Sequence, residues 1–127
     1  MIKVFLVDDH HFFLSGLRAE LGAEFEIVGE AGEVDAAVDG IRRTRPDVVL
    51  LDVQLAGTDG FAVCRALRAE GFEVVLCSVR DEWDFAGEVA ACGARGFLPK
   101  HQLSAAALLR VFGGDRGNEI GRVDENE

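Results

Sequence analysis

Asp8 and Asp9 close the apolar run Ile2-Lys3-Val4-Phe5-Leu6-Val7, and Asp52 closes Val48-Val49-Leu50-Leu51. Ser78 follows Val74-Val75-Leu76-Cys77, and Lys100 follows Gly96-Phe97-Leu98-Pro99. If those runs lie side by side as parallel strands, three carboxylates, a hydroxyl and an ammonium share one edge of a sheet. Carboxylates brought together repel, and at neutral pH they are tolerable only with a divalent cation and a positive side chain nearby. The cation this implies is Mg²⁺, a hard ion that takes a few protein oxygens and keeps waters for the rest. Lys100 is the second source of positive charge. An aspartate held in this way has the parts of a phosphoryl acceptor: its oxygen attacks phosphorus, metal and lysine neutralise the equatorial oxygens, and a hydroxyl binds the transferred group.

Each residue also has a plainer reading. Asp8-Asp9 reads as a cap for the following helix, Ser78 as a strand-end turn residue, Phe97 as core and Lys100 as an exposed charge. Their coincidence at successive strand ends is what favours chemistry, so the reading depends on the elements that carry them. The run Val48–Leu51 is continuous and aliphatic, bounded by Pro46 and by Ala56-Gly57-Thr58-Asp59-Gly60, as a strand buried on both faces would be. Between the runs, Phe13/Leu17/Leu21, Val34/Ala37/Val38/Ile41, Phe61/Cys64/Leu67 and Phe85/Val89/Cys92 repeat at helical spacing. The spacing predicts helices over about 10–21, 34–43, 61–67, 82–92 and 104–112. Gly22, Pro46, Gly93 and Gly113-Gly114 are expected to stop them, and Thr58 or Asp59 is expected to cap the third. Phe25–Glu30 is a second strand, nearer an edge. Five strands alternating with five helices give an α/β fold, a doubly wound parallel sheet with helices on both faces. Residues 1–113 form the domain, and the glycine-rich, acidic stretch 114–127 is expected as a flexible tail or the start of a linker.

Composition excludes several classes. The 127 residues carry 13 basic and 23 acidic side chains, a net charge of −10, which is not the footprint of a domain that grips nucleic-acid phosphates. No apolar run approaches the ~20 residues of a membrane span, and a cytoplasmic location is expected. Cys64, Cys77 and Cys92 lie in apolar patterns without zinc spacing and are expected as core thiols. His10 and His11 read as a helix-start pair rather than metal ligands. Phe12 and Trp83 read as partly buried helix residues, with an exposed partner contact as the alternative.

The motifs Val7-Asp8-Asp9-His10, Leu51-Asp52 with Gly57-x-Asp59-Gly60, Val75-Leu76-x-Ser78 and Gly93-Ala94-x-Gly96-Phe97-Leu98-Pro99-Lys100 resemble those of response regulator receiver domains. The resemblance spans about residues 2–112 and is greatest to the subgroup that precedes LuxR-type helix-turn-helix output domains. It implies a flavodoxin-like receiver fold with strand order 2-1-3-4-5 and a signalling switch rather than a metabolic enzyme. Asp52 would be phosphorylated by a sensor histidine kinase. Asp8, Asp9, Asp52 and the backbone carbonyl of Gln54 would hold Mg²⁺. Ser78 would be the switch hydroxyl, Phe97 the coupled switch aromatic and Lys100 the phosphate contact. The resemblance further implies a homodimer through helix 4, strand 5 and helix 5 or through helices 1 and 5, and an output domain outside this chain. Ala56 stands where proline is common. Val79 stands where alanine is typical and is expected to narrow the path to Asp52. A phosphohydrolase of the haloacid-dehalogenase type would need a second aspartate where Gln54 stands, and a flavodoxin-like nucleotide binder would need a hydroxyl- and glycine-rich loop where Asp8-Asp9 stand.

Overall fold

Period-two alternation in the strands sorts the apolar side chains onto two faces, and both faces are covered. The computed structural model describes residues 1–80 and 85–113. Strands β1 (Ile2–Val7), β2 (Phe25–Ala31), β3 (Val48–Asp52), β4 (Val74–Ser78) and β5 (Gly96–Pro99) alternate with helices α1 (His11–Leu21), α2 (Val34–Thr44), α3 (Gly60–Ala69), α4 (Ala86–Ala91) and α5 (Ala105–Gly113). A 3-10 turn, Lys100–Gln102, lies between β5 and α5. All pairings are parallel and the order is β2-β1-β3-β4-β5. Phe5, Val7, Val49, Leu51, Val74, Leu76 and Phe97 face α2, α3 and α4. Val4, Leu6, Val48, Leu50, Val75, Cys77 and Leu98 face α1 and α5. The three cysteines are buried free thiols, as expected.

The chain leaves β1 for β2 on one side and returns to β3 on the other, so the order reverses between β1 and β3, where open α/β sheets bind ligands. Val7 pairs with Leu51, Asp52 with Cys77 and Ser78 with Pro99. This register brings the residues beyond each strand end to one edge. β4 ends at Ser78, as expected. The loop after Asp52 is fixed by two glycines. Gly57 has φ 73°, and a Cβ on Gly60 would stand 2.5 Å from Val53 Cα, so only glycine lets the start of α3 lie against that loop. Asp59, rather than Thr58, caps α3, accepting from Phe61 N at 3.0 Å and Ala62 N at 3.3 Å.

Two helices end where expected, with cap conformations that the sequence does not specify. Gly22 ends α1 with right-handed φ −53°, so its left-handed freedom goes unused. Arg45 ends α2 in the left-handed region at φ 49°, its N–H bonded to the Ile41 carbonyl and its guanidinium 5.3 Å from the Phe72 ring centroid. Phe12 is 94% exposed, which corrects the partly buried reading. Trp83, the expected beginning of the fourth helix at Glu82, and the expected tail over 114–127 lie outside the described residues. No helix among the described residues is long and apolar enough to cross a membrane.

Candidate functional site

Asp8 and Asp52 lie where two buried strands end, so their side chains have no room to reach bulk water. They are 3% and 1% exposed, and with Ser78 at 0% they are the buried polar side chains of the described residues. Each satisfies one carboxylate oxygen locally. Asp8 Oδ1 accepts from His10 N at 2.8 Å, and Asp52 Oδ1 accepts from Gln54 N at 2.8 Å. This donor two residues on is an Asx-type turn that locks the carboxylate plane and leaves the second oxygen to point elsewhere. In both cases that second oxygen meets Lys100. Nζ lies 2.7 Å from Asp8 Oδ2 and 3.2 Å from Asp52 Oδ2, with the lysine side chain 8% exposed. Apart from this ion-pair contact, Asp8 Oδ2 is a buried oxygen without a hydrogen bond. Lys100 Nζ also lies over the Phe13 ring, 4.5 Å from its centroid.

Burial dominates the electrostatics. Removal from water pushes the Asp52 carboxyl above its ordinary range, and the Gln54 N–H and Lys100 ammonium offset this only in part, while Asp8 adds to it. Burial alone would lower Lys100, but the close contact with Asp8 and the charges of Asp52 and Asp8 outweigh it and raise the lysine. Lys100 is therefore a firm cation facing an edge with excess negative charge. Asp9 stands at the rim, accepting from Ala56 N at 3.4 Å.

Ser78 repeats the same local device, its Oγ accepting from Arg80 N at 3.0 Å. The hydroxyl also donates to the Gln54 side-chain carbonyl, which ties the end of β4 to the loop after Asp52. Phe97 stands on the face toward α2, α3 and α4 and is packed inward at 6% exposure. Its ring centroid is 5.9 Å from that of Phe85, which lies 5.5 Å from that of Phe61. Phe85 is the N-cap residue of α4, so an aromatic chain connects β5 to that helix. Val79 is 65% exposed and, with His10, Phe13, Lys100 and His101, lines a cavity of about 390 Å³ beside the carboxylates.

The structure thus brings together Asp8, Asp9, Asp52 and Lys100, and connects Ser78 to them through Gln54. The sequence reading missed two participants. His10, read as a plain helix-start residue, turns its ring to the acids, with Nδ1 3.3 Å from Asp8 Oδ1 and 2.9 Å from Lys100 Nζ. The usable signal was its place directly after Asp8-Asp9, at the N-cap of a helix that begins at this edge. The Gln54 side chain, valued only for its backbone carbonyl, holds Ser78, and nothing in the sequence marks a contact across 24 positions.

Comparison with known proteins agrees with this geometry. Residues 4–111 match the family described as response regulator receiver domain. The chain is 31% identical over 122 residues to the nitrate/nitrite response regulator protein NarP of Escherichia coli K12, covering 93% of this chain and 57% of that protein. It is 33% identical over 123 residues to the probable transcriptional regulatory protein NarL of Mycobacterium tuberculosis, covering 94% of this chain and 57% of that one. Among solved structures, the signal receiver domain of the putative response regulator NarL from Mycobacterium tuberculosis superposes with a TM-score of 0.75 at 33% identity. That match covers 88% of this chain and 97% of the NarL domain. The chain spans about half the length of the regulators it resembles, covering 48% of DegU from Brevibacillus brevis and 57% of NarP.

Proposed function

The chain belongs to the response regulator receiver domain family of two-component signalling, and from that premise we propose that Asp52 is its phosphoacceptor, with Lys100 and Ser78 as the groups that bind the transferred phosphoryl. The observation that carries the proposal is the shared geometry of Asp8 and Asp52. Each fixes one oxygen on a backbone N–H two residues on and holds the other on the Lys100 ammonium.

A hard divalent cation fits the donors present. Asp8, Asp9, Asp52 and the Gln54 backbone carbonyl would hold Mg²⁺, and the buried Asp8 Oδ2, whose partner is Lys100 alone, is the kind of oxygen such an ion satisfies. When bound, the ion would supply positive charge to phosphoryl oxygens that the three aspartates would otherwise repel. The side chains do the rest. Asp52, its plane fixed by Gln54 N, presents Oδ2 as the nucleophile, and Lys100, 3.2 Å away, is positioned to follow the phosphoryl oxygens.

Ser78 must exchange its bond to Gln54 for a phosphoryl oxygen, which draws the end of β4 toward the end of β3. Phe97, on the neighbouring strand and in contact with Phe85, couples that movement to α4. The surface of α4, β5 and α5, or that of α1 and α5, then pairs two copies or contacts an output domain of transcriptional type. The phosphoryl donor is a sensor histidine kinase, the receiver acts in the cytoplasm, and it catalyses only its own phosphorylation and dephosphorylation.

The test is Mg²⁺-dependent uptake of phosphoryl label from acetyl phosphate or a cognate kinase. Wild type takes up label at close to one equivalent, and Asp52→Asn takes up essentially none. Undiminished stoichiometry in Asp52→Asn would move the acceptor to another residue and overturn the assignment.

A further inference from the structure

His10 is neither a cap nor a bystander. It is the N-cap residue of α1, yet its side chain makes no capping bond, and the ring folds back over the acids. Nδ1 lies 3.3 Å from Asp8 Oδ1, 3.8 Å from Asp9 Oδ1 and 3.9 Å from Asp52 Oδ2. One donor atom from each of Asp8, Asp9, His10 and Asp52 falls within 4.8 Å of the others.

Lys100 Nζ is 2.9 Å from Nδ1, and an imidazole with its proton on Nε2 would accept from that ammonium and present a lone pair there. The same ammonium collects Asp8 Oδ2 at 2.7 Å and Asp52 Oδ2 at 3.2 Å. A cationic group therefore already sits among two carboxylate oxygens and an imidazole nitrogen, the donors a metal ion would use.

We infer that His10 is a fourth side-chain metal ligand, and that it extends the site from hard Mg²⁺ to borderline divalent cations such as Ni²⁺ and Zn²⁺. The inference rests on the reading of Asp8, Asp9 and Asp52 as the Mg²⁺ site. Imidazole adds little to Mg²⁺, which prefers oxygen and near-ideal octahedral geometry, but it is a favoured ligand of Zn²⁺ and Ni²⁺. The chemical consequence is a receiver whose metal occupancy depends on which divalent ions are available. Cys64, Cys77 and Cys92 are buried in the core and offer these metals no competing thiolate at the surface.

The experiment compares metal affinities of the full chain, using competition with a chromogenic chelator for Ni²⁺ and Zn²⁺ and calorimetry for Mg²⁺. His10→Ala is expected to weaken Ni²⁺ and Zn²⁺ binding about tenfold or more while changing Mg²⁺ binding less than about threefold. His11→Ala and His101→Ala should change neither. Because His10 is 58% exposed, its truncation should leave thermal unfolding of the metal-free protein nearly unchanged. Cu²⁺ gives an independent readout: nitrogen hyperfine splitting in its electron paramagnetic resonance spectrum should be present in wild type and His11→Ala and lost in His10→Ala.

The inference is overturned if His10→Ala lowers all three affinities equally, if it lowers none, or if the nitrogen signal disappears with His101→Ala instead. The underlying site reading fails separately, through Mg²⁺ binding that survives Asp9→Asn and Asp52→Asn.

Discussion

The two edges of the sheet use the same residue types to opposite ends. At the edge where the strands begin, the Lys3 backbone N–H donates to Asp47 at 2.8 Å, and Glu73 lies 3.3 Å from Arg68 and 3.8 Å from Arg95. Acid is matched by base, and the Glu73 and Arg68 side chains keep 28% and 35% of their surface in water. At the edge where the strands end, Asp8 and Asp52 are almost fully buried, and a single ammonium faces them. Charges in water cost little to hold and contribute little, whereas buried charges without full compensation cost stability. One edge closes the fold. The other is held against its own electrostatics, as sites that act on charged ligands commonly are.

The largest effect is expected from Lys100→Ala. Removing the ammonium leaves Asp8 and Asp52 buried without their cation, and the metal-free protein should lose about 3 kcal/mol, the usual penalty for breaking a buried ion pair. Urea unfolding with and without Mg²⁺ checks this, and Mg²⁺ should stabilise the variant more than it stabilises wild type. A neutral substitution would mean that this edge is as wet as the other and would erase the contrast.

Asp52→Asn should act in the opposite direction, on the order of 1 kcal/mol at neutral pH for relief of a buried charge. Its sign follows from the raised Asp52 carboxyl. Folding favours the protonated form, so that contribution to stability is complete below the unfolded value of 3.8 and is lost as pH rises through the higher folded value. Metal-free Asp52→Asn should therefore be more stable than wild type at pH 7, and the advantage should vanish as pH falls below about 4. Lys100, also raised, adds stability present below 10.5 and lost above its folded value, so wild type should weaken again on the alkaline side. Thermal unfolding across pH, without metal, separates the two limbs.

Much of this contrast was legible in the sequence, for identifiable reasons. An aliphatic run such as Val48–Leu51 has few ways to bury both its faces, so its strand and the aspartate at its end were readable, and each following run repeated the pattern. Asp8, Asp52, Ser78 and Lys100 were placed on one edge by topology alone. Orientation was not legible. The ring of His10 could point to solvent or back to the acids with the same local sequence, and only the packed structure selects one. Arg45 ends α2 in a conformation usually given to glycine, with its N–H on the Ile41 carbonyl and its guanidinium over Phe72, a residue 27 positions away. Gly22 stops α1 where expected, but at a right-handed φ of −53° that does not draw on a glycine's special freedom.

The smallest expected effect lies at the other edge and carries the most information about the comparison. Glu73→Gln removes one acid from between two guanidinium groups, and both arginines retain other acceptors. Arg68 donates to the Phe72 carbonyl at 3.1 Å, and Arg95 donates through Nε to the Phe112 carbonyl at 2.9 Å. The loss should stay within about 0.5 kcal/mol and shrink further in high salt, as a solvent-screened pair does. Asp52→Asn, one charge changed by the same chemistry, should show the opposite sign and little salt dependence. Two substitutions that each exchange a carboxylate for an amide would then differ only in whether water reaches the site. A Glu73→Gln loss as large as that of Lys100→Ala would make charge pairing the support of both edges and remove the reason to single out the edge at Asp52.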